Sequence, residues 1–303
     1  MTDSNTTVKT IGGRDYIFFN ITYNHHRDVG GSTENAVLDR ADMRTAECVL
    51  CLPESYREDG YPTQLVLASH GAGGRVCAED GIIGGLGFAS DCIGAGYALL
   101  DVCGSEPHGT TMGCPEHIFA LYKAYRYAIR HYNLSERVLL TGASMGGHVA
   151  MNFANTFPGI VTAVGIFCPR LHMDGLMVDG HYCIGTWDKT TKGRDGTSTR
   201  DKIVSIYRFP DEMWNDERTC GFNPHRTRAF TNADGEKVIL PPCPIKIWQG
   251  TADTTVDPVG VQAYVDAVRR SGSYIELHML DGVGHTVTPV MREELLLWFE
   301  RFI

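Results

Sequence analysis

The chain has 303 residues, of which 43% are hydrophobic and 21% charged, and its formal net charge at pH 7 is -9. A composition of this kind is typical of a globular protein with a sizeable apolar core. The acidic balance, with no run of lysine or arginine, argues against nucleic acid or an anionic membrane surface as a partner.

The first residues, 1–7, are polar, and no apolar stretch in the sequence approaches the length of a membrane span. These two features predict a cytoplasmic protein without a membrane span, although a secretory signal that had been removed would leave the same pattern. The sequence leaves open whether identical chains assemble into a homo-oligomer.

Eight strands are predicted, two at the start of the chain and six in alternation with helices. The two leading strands cover residues 16–23 and 44–52. The six later strands are predicted at 64–69, 97–102, 137–141, 161–167, 244–249 and 274–280. Short, nearly continuously apolar strands separated by helices are typical of a parallel sheet covered on both faces, so the sequence predicts an α/β fold.

Apolar side chains at three- and four-residue steps predict a helix through residues 118–129, and two late helices are predicted at 258–270 and 291–302. Between the strands that end at 167 and begin at 244 lie about 75 residues with weak periodicity and many aromatic side chains. Long irregular insertions are typical of lids or binding loops. The alternative is a surface elaboration that pads the fold or makes a contact between two copies.

The chain has ten cysteines, and Cys48 and Cys51 have the spacing of a metal-binding or redox pair. Both lie in a predicted strand, however, where residues three apart face opposite sides of the sheet. We therefore expect buried structural thiols at these positions, because a free cysteine behaves as a small core hydrophobe.

The motif Gly-Ala-Ser-Met-Gly-Gly at residues 142–147 lies between an apolar strand and a helix-like segment. This is the context of a nucleophile elbow, in which Ser144 would stand at the tip of a sharp turn between close-packed glycines. With 34 glycines in the chain a chance match is not rare, so the prediction depends on the companions of the serine.

A serine needs a histidine to accept its proton and a carboxylate to orient that histidine. Asp253 follows the strand at 244–249, whereas its competitor Asp257 immediately precedes a proline and a helix, where a capping aspartate is expected. His285 follows the last strand in a glycine-rich loop. The order serine, acid, histidine therefore predicts Ser144 as nucleophile, Asp253 as acid and His285 as base.

Two backbone N–H groups are needed to bind the oxyanion of an acyl-transfer intermediate. Met145 supplies one candidate at a helix N-terminus, and Ala72, in the glycine-rich loop 69–74, supplies the other. Candidate substrate-binding residues follow predicted strand ends or belong to the irregular segment, namely His70, Gly71, Arg75, His108, Arg170, Trp187 and Trp214. For the two arginines, an exposed and solvated side chain is the alternative.

Together these motifs resemble the α/β-hydrolase superfamily, in the style of the small prolyl-oligopeptidase-like esterases with their feruloyl and acetyl-xylan esterase relatives. The resemblance covers about residues 44–303. It implies a single α/β-hydrolase domain over 1–303, with a mostly parallel eight-stranded sheet. Residues 1–43 would then be an N-terminal extension with the first strand, and residues 170–242 a cap over the site.

The resemblance implies a serine esterase that forms an acyl-enzyme intermediate and needs neither a metal nor an organic cofactor. The expected substrate is a small-molecule or carbohydrate ester, with acylated sugars and aromatic esters as the favoured classes. The alternatives are a peptidase of the prolyl-oligopeptidase type and a non-catalytic binding protein on the same fold.

Overall fold

The computed structural model describes residues 6–24, 43–104, 111–173, 175–183 and 222–303. Within these ranges none of the helices combines the length and the apolar character that crossing a bilayer demands. The strands of these ranges are β1 Thr6–Ile11, β2 Arg14–Asn24, β3 Met43–Cys51, β4 Thr63–Ser69, β5 Val76–Cys77, β6 Ile82–Ile83, β7 Ala98–Val102, β8 Leu134–Ala143, β9 Val161–Phe167, β10 Leu176–Val178, β11 His181–Cys183, β12 Ala229–Thr231, β13 Lys237–Ile239, β14 Ile245–Gly250 and β15 Ile275–Leu280.

The three helices predicted at 118–129, 258–270 and 291–302 are present, and their ends lie within three residues of the predicted positions. Three of the helices start with a proline directly after the capping residue, where the missing N–H costs nothing. The α-helices are α1 Ser90–Gly94, α2 Pro115–His131, α3 Met145–Thr156, α4 Pro258–Arg269 and α5 Pro289–Phe299, and the last runs into a 3-10 turn at Glu300–Phe302.

The large sheet has the strand order β1-β2-β3-β7-β4-β8-β9-β14-β15. From β7 to β15 all neighbours run parallel, whereas β1, β2, β3 and β7 pair antiparallel. The α/β fold with a mostly parallel sheet is therefore confirmed, but the sheet has nine strands where eight were predicted.

The additional strand is β1, a mostly polar segment that pairs with β2 at the edge of the sheet. An edge strand is covered by one neighbour only, so it does not need the apolar run by which the other strands were recognised. Gly12 and Gly13, both with positive φ (60° and 79°), form the tight turn of this hairpin.

Helices cover both faces of the sheet, as predicted, and bury a separate apolar core on each. One core receives side chains from α2, α3 and α4, such as Leu121, Phe153 and Val265. The other receives Met291 and Trp298 from α5 and residues of α1. The central strands are buried from both sides, which holds their carboxyl ends in a fixed plane.

Cysteines of the described ranges are packing residues without disulfides. Cys48 and Cys51 are both buried, the first in the core against α2 and α3 and the second in the core against α1 and α5. They therefore face opposite sides of β3, as the strand prediction requires. Nine cysteines of these ranges are free thiols.

Candidate active site

The loops that follow the parallel strands meet at one edge of the sheet. The register aligns the ends of neighbouring strands, with Ser69 opposite Gly142 and Ala143 opposite Phe167. The loops after β4, β8, β9, β14 and β15 therefore lie side by side. Those after β4, β8, β14 and β15 carry the residues predicted as oxyanion donors, nucleophile, acid and base.

Ser144 occupies the turn between β8 and α3 with a strained backbone. Its φ is 56° and its ψ is -116°, a conformation that a residue with a side chain seldom adopts. A Cβ atom at Gly142 would overlap the backbone of Gly146, and one at Gly146 would overlap the Ser69 carbonyl. The glycines of the motif are therefore required by close approach of the backbone, and the turn presents Ser144 at the tip.

The backbone of Ser144 is bonded on both sides to the segment that leaves β9. Its N–H donates to the Phe167 carbonyl at 2.9 Å, and its carbonyl accepts from the Arg170 N–H at 3.1 Å. These two bonds fix the strained turn against the next strand of the sheet, so the serine side chain is held in place by its main chain.

Asp253 and His285 lie together at the same edge. His285 Nδ1 is 2.8 Å from Asp253 Oδ2, and the histidine side chain is 26% exposed while the carboxylate is fully buried. With the Nδ1 proton held by the carboxylate, Nε2 is left as the acceptor. The loop that carries Asp253, residues 251–257, is called the acid loop below.

The acid loop stabilises the ionised form of Asp253. Burial acts to raise the pKa of this carboxyl, but hydrogen bonds from the Val256 N–H, from His285 and from the Thr255 N–H outweigh it, so the pKa lies below its usual range. The two N–H groups donate to Oδ1 at 2.9 Å and 2.8 Å, and Gln249 Nε2 donates to Oδ2 at 3.1 Å. A charged Asp253 can stabilise an imidazolium that forms during the reaction.

Cys168 links the serine turn to the Asp253–His285 pair. It follows Phe167 at the end of β9, has a φ of 42° and is 2% exposed. Its thiol, the Asp253 carboxylate and a His285 ring nitrogen all lie within 4.8 Å of one another. Burial raises the pKa of the Cys168 thiol to about 11, so the group is a neutral packing neighbour of the pair rather than a nucleophile.

The two candidate oxyanion donors flank Ser144. Met145 is the first residue of α3, where N–H groups have no partner within the helix. The loop 69–74 passes so near that a Cβ atom at Gly71 would come within 4.0 Å of the Ser144 Cβ. Gly71 and Gly74 close a turn through a 3.0 Å hydrogen bond, and Ala72 is exposed at the tip of that turn.

The loop 69–74 is held from beneath by a buried pair that the sequence did not reveal. His70 Nδ1 lies 2.9 Å from Asp101 Oδ2, and the two residues are 2% and 0% exposed. The same carboxylate accepts the N–H groups of Gly85 at 2.7 Å and Val102 at 2.8 Å. A buried His70 bonded to Asp101 is well placed to support the loop. It is less well placed for the predicted contact with a substrate.

The other predicted substrate-binding residues fall in different surroundings. Arg75 forms an ion pair with Asp80 at the surface. Arg170 donates from its Nη2 to the Thr255 carbonyl at 2.6 Å, which ties its side chain to the acid loop. The remaining three predicted residues, His108, Trp187 and Trp214, lie outside the described residues.

These elements can carry out nucleophilic acyl transfer. The site combines a half-buried serine turn, a histidine held by a buried carboxylate and helix-terminal N–H groups on one edge of the sheet. The sulfur, oxygen and nitrogen atoms around Asp253 could also ligate a metal ion, but the backbone and histidine bonds already satisfy this carboxylate.

The model of the Esterase family matches residues 127–288, which is more than half of the chain and includes Ser144, Asp253 and His285. No curated protein matches the sequence.

Solved structures with this fold include esterases and peptidases. An S-formylglutathione hydrolase from Agrobacterium tumefaciens has a TM-score of 0.59 at 15% identity, over 99% of this chain and 100% of its own. The esterase Est2 from Thermogutta terrifontis has a TM-score of 0.55 at 15% identity, over 88% of each chain. A candidate dipeptidyl aminopeptidase IV from Bacteroides ovatus has a TM-score of 0.59 at 16% identity. Here 94% of this chain is covered, but it spans only 36% of the length of that protein.

Proposed function

The chain belongs to the Esterase family of α/β hydrolases, and we propose that it hydrolyses carboxylic esters through an acyl-enzyme formed on Ser144. Family membership confirms the predicted class, a carboxylic ester hydrolase. The individual roles of Ser144, Asp253 and His285 are part of the proposal. The observation that carries it is the 2.8 Å bond between His285 Nδ1 and Asp253 Oδ2 on the edge where Ser144 forms its strained turn.

In the acylation step, Ser144 Oγ attacks the ester carbonyl while His285 Nε2 takes the hydroxyl proton. The negative charge that develops on the carbonyl oxygen is bound by the N–H groups of Met145 and Ala72. When the tetrahedral intermediate collapses, the imidazolium returns its proton to the departing alkoxide. Throughout, Asp253 remains ionised and stabilises the positive ring.

In the deacylation step, a water molecule gives a proton to His285 Nε2 and attacks the acyl carbonyl. The second intermediate expels Ser144, which recovers its proton from His285, and the carboxylic acid is released. Every proton in this cycle is moved by one histidine, so the reaction depends on a neutral imidazole at the start of each half.

The proposed substrate is an ester of a small molecule or a carbohydrate. An alkoxide leaves with less help from a proton donor than an amine does, which favours ester over amide cleavage. The similarity in fold to a candidate dipeptidyl aminopeptidase IV supports a peptidase as the second candidate. An activity screen over acetylated and feruloylated sugars, simple acyl esters and amino-acid amides would separate the two.

We propose that residues 170–242 form a cap over the site. Two residues of the described part of this segment, Arg170 and Phe222, are bonded to the helix that follows Ser144. His148 Nε2 and Asn152 Nδ2 on α3 each lie 3.0 Å from the Phe222 carbonyl, and His148 Nδ1 lies 2.7 Å from the Arg170 carbonyl. These bonds to α3, the helix that begins directly after Ser144, support the proposal of a cap beside the serine turn.

The replacement Ser144→Ala tests the proposed function. Without its nucleophile the enzyme should lose about 10⁶-fold in kcat toward p-nitrophenyl acetate. The matched control is Ser55→Ala, because Ser55 is an exposed serine in another loop. Retained hydrolysis by Ser144→Ala with an unchanged circular dichroism spectrum would refute the mechanism. No hydrolysis by the unmodified protein of any ester or amide in the screen would favour a binding protein instead.

A further inference from the structure

Three side chains with metal-binding atoms converge in a second group, which contains none of the proposed catalytic residues. His181, Cys183 and Asp257 each offer one ligand atom, and these atoms all lie within 4.8 Å of one another. Two of the three belong to the strand β11 and the third ends the acid loop, more than seventy positions later in the chain. A nitrogen, a sulfur and an oxygen donor therefore meet at a point that the proposed reaction does not use.

The first two donors are presented by a short hairpin with a tight turn. Strand β10 pairs antiparallel with β11, so that Val178 lies opposite His181. The two-residue turn between them consists of Asp179 and Gly180, whose φ values of 47° and 84° are both positive, as a type I′ turn requires. His181 and Cys183 are two positions apart on one strand, so both side chains point to the same face of the hairpin.

The third donor is fixed by its place at the start of α4. Asp257 Oδ1 accepts the Val259 N–H at 3.0 Å, which is the helix-capping bond. Its other oxygen, Oδ2, lies 2.7 Å from His181 Nε2. One oxygen therefore holds the side chain in place while the other points to the hairpin.

The hairpin is packed tightly against the first turn of α4. Cys183 is fully buried. A Cβ atom at Gly260 would lie 3.6 Å from the Cys183 Cβ, an ordinary contact distance, so the first turn of α4 lies directly against the hairpin. Cys183 is thus held within reach of Asp257 by the packing of backbone and side chains, and His181 is the more exposed and adjustable member, at 54%.

We propose that His181, Cys183 and Asp257 bind a zinc ion. Imidazole, thiolate and carboxylate are the three ligand types that zinc takes in proteins, whereas magnesium and calcium prefer oxygen donors alone. Zinc bonds of these types are about 2.0–2.3 Å long, which places tetrahedral ligand atoms about 3.4 Å apart. The 2.7 Å contact between His181 Nε2 and Asp257 Oδ2 must therefore open by about 0.7 Å, which the exposed histidine can supply.

Binding of zinc conserves charge and protons. Cys183 gives its thiol proton to solvent and binds as a thiolate, His181 binds through the lone pair of Nε2 with its proton on Nδ1, and Asp257 binds as a carboxylate. The two negative ligands neutralise the divalent ion, and a water molecule takes the fourth position. No electron is transferred, and the ion takes no part in ester hydrolysis.

The proposed site would fasten the hairpin to the acid loop. The hairpin β10–β11 lies near the start of the segment 170–242, while Asp257 closes the loop that carries Asp253. A zinc ion here would tie the base of the proposed cap to the element that orients the catalytic histidine. The role is structural, so bound zinc should raise the melting temperature.

Zinc binding to the purified, chelator-stripped protein tests the proposal. We expect one equivalent of zinc, measured by competition with a chromophoric chelator, and a thiolate-to-metal charge-transfer band when Co²⁺ is used in its place. Cys183→Ser and Asp257→Asn should each weaken zinc binding about 100-fold. Asparagine still caps a helix, so Asp257→Asn keeps the fold of α4.

A matched variant separates this site from the other cysteine, aspartate and histidine group of the described residues. Cys168→Ala removes the thiol beside Asp253 and His285 and should leave the bound equivalent in place. Loss of zinc in Cys168→Ala, with retention in Cys183→Ser, would assign the ion to the catalytic pair and overturn the proposal. Absence of binding, or binding that no variant weakens, would overturn it as well.

Discussion

The acid loop carries two histidine–aspartate pairs that share the same chemical groups and differ in their surroundings. Asp253 pairs with His285 at 2.8 Å and Asp257 pairs with His181 at 2.7 Å, and each pair has a cysteine within 4.8 Å. The Asp253 side chain is fully buried, whereas that of Asp257 is 25% exposed. Asp253 directs both oxygens into the protein, while Asp257 uses one of its oxygens to cap a helix.

The comparison shows that the surroundings, not the group itself, decide what such a pair can do. Asp253 is held by backbone donors, so it can hold His285 in the tautomer that the proposed mechanism needs. The second pair has an exposed histidine on a surface hairpin, which leaves its imidazole accessible to an ion from solvent. The first arrangement suits proton transfer and the second suits ligand binding.

The largest effect on kcat is expected when Asp253, and not Asp257, loses its carboxylate. Asp253→Asn should lower kcat about 10⁴-fold, because an amide stabilises the wrong tautomer of His285 and cannot balance the imidazolium. Asp257→Asn should lower it less than tenfold, since Asp257 pairs with a different histidine. Steady-state kinetics on the best ester of the screen measures both.

The matched control for this pair is Asp266→Asn, an exposed aspartate on α4 whose partners are Gln262 and Arg269. Asp257→Asn could lower kcat as much as Asp253→Asn does while Asp266→Asn leaves it unchanged. That result would contradict the proposal that Asp253 alone is the catalytic acid.

A third pair, His70 with Asp101, extends the comparison to a fully buried site. Asp101→Asn places an NH₂ group opposite N–H donors from His70, Gly85 or Val102, so at least one buried donor loses its acceptor. The free energy of unfolding should fall by about 1–3 kcal/mol. Urea denaturation at neutral pH measures this loss. Asp91→Asn, at a 46% exposed aspartate, should change stability by less than about 0.5 kcal/mol.

The smallest effect concerns a fourth pair, His278 with Glu294, which is far from the acid loop in sequence. Burial acts to raise the pKa of Glu294, but bonds from Trp248 Nε1, His278 and Lys246 lower it to about 2 from 4.5. A carboxyl with a lowered pKa stabilises the folded state above pH 4.5, and this contribution is lost as the pH falls toward 2.

Glu294→Gln should therefore be less stable than the unmodified protein by about 1 kcal/mol at neutral pH, because the partly exposed pair is screened by solvent. The difference should shrink as the pH falls from 4.5 toward 2. Thermal unfolding over this pH range measures it. A difference that stays constant with pH would mean that packing, and not charge, explains the effect of the substitution.

The sequence predicted the central strands and the late helices to within a few residues, because continuous apolar runs and proline at helix starts leave few alternatives. The capping role predicted for Asp257 is confirmed by its bond to the Val259 N–H. Strand β1 was missed because an edge strand needs no apolar run, and its glycine pair at 12–13 was the available signal.

The partner of His70 and the hairpin β10–β11 could not be predicted from sequence in the same way. Asp101 lies inside a buried strand, and nothing in the pattern of that strand shows that its carboxylate faces His70 in another loop. The hairpin β10–β11 lies in a segment without periodicity. Its Asp179–Gly180 turn, between two three-residue strands, was the one signal that could have revealed it.

The two backbone bonds of Ser144 have a consequence for how the enzyme acquires activity. Its N–H and carbonyl are bonded to Phe167 and Arg170, at the end of β9 and just beyond it. The serine can therefore reach its strained turn only after β9 has paired with β8, and parallel pairing is a slow, non-local step of folding. Regain of hydrolysis after dilution from denaturant should lag behind the recovery of helical circular dichroism. The activity proposed for Ser144 would therefore report whether the centre of the sheet has been assembled.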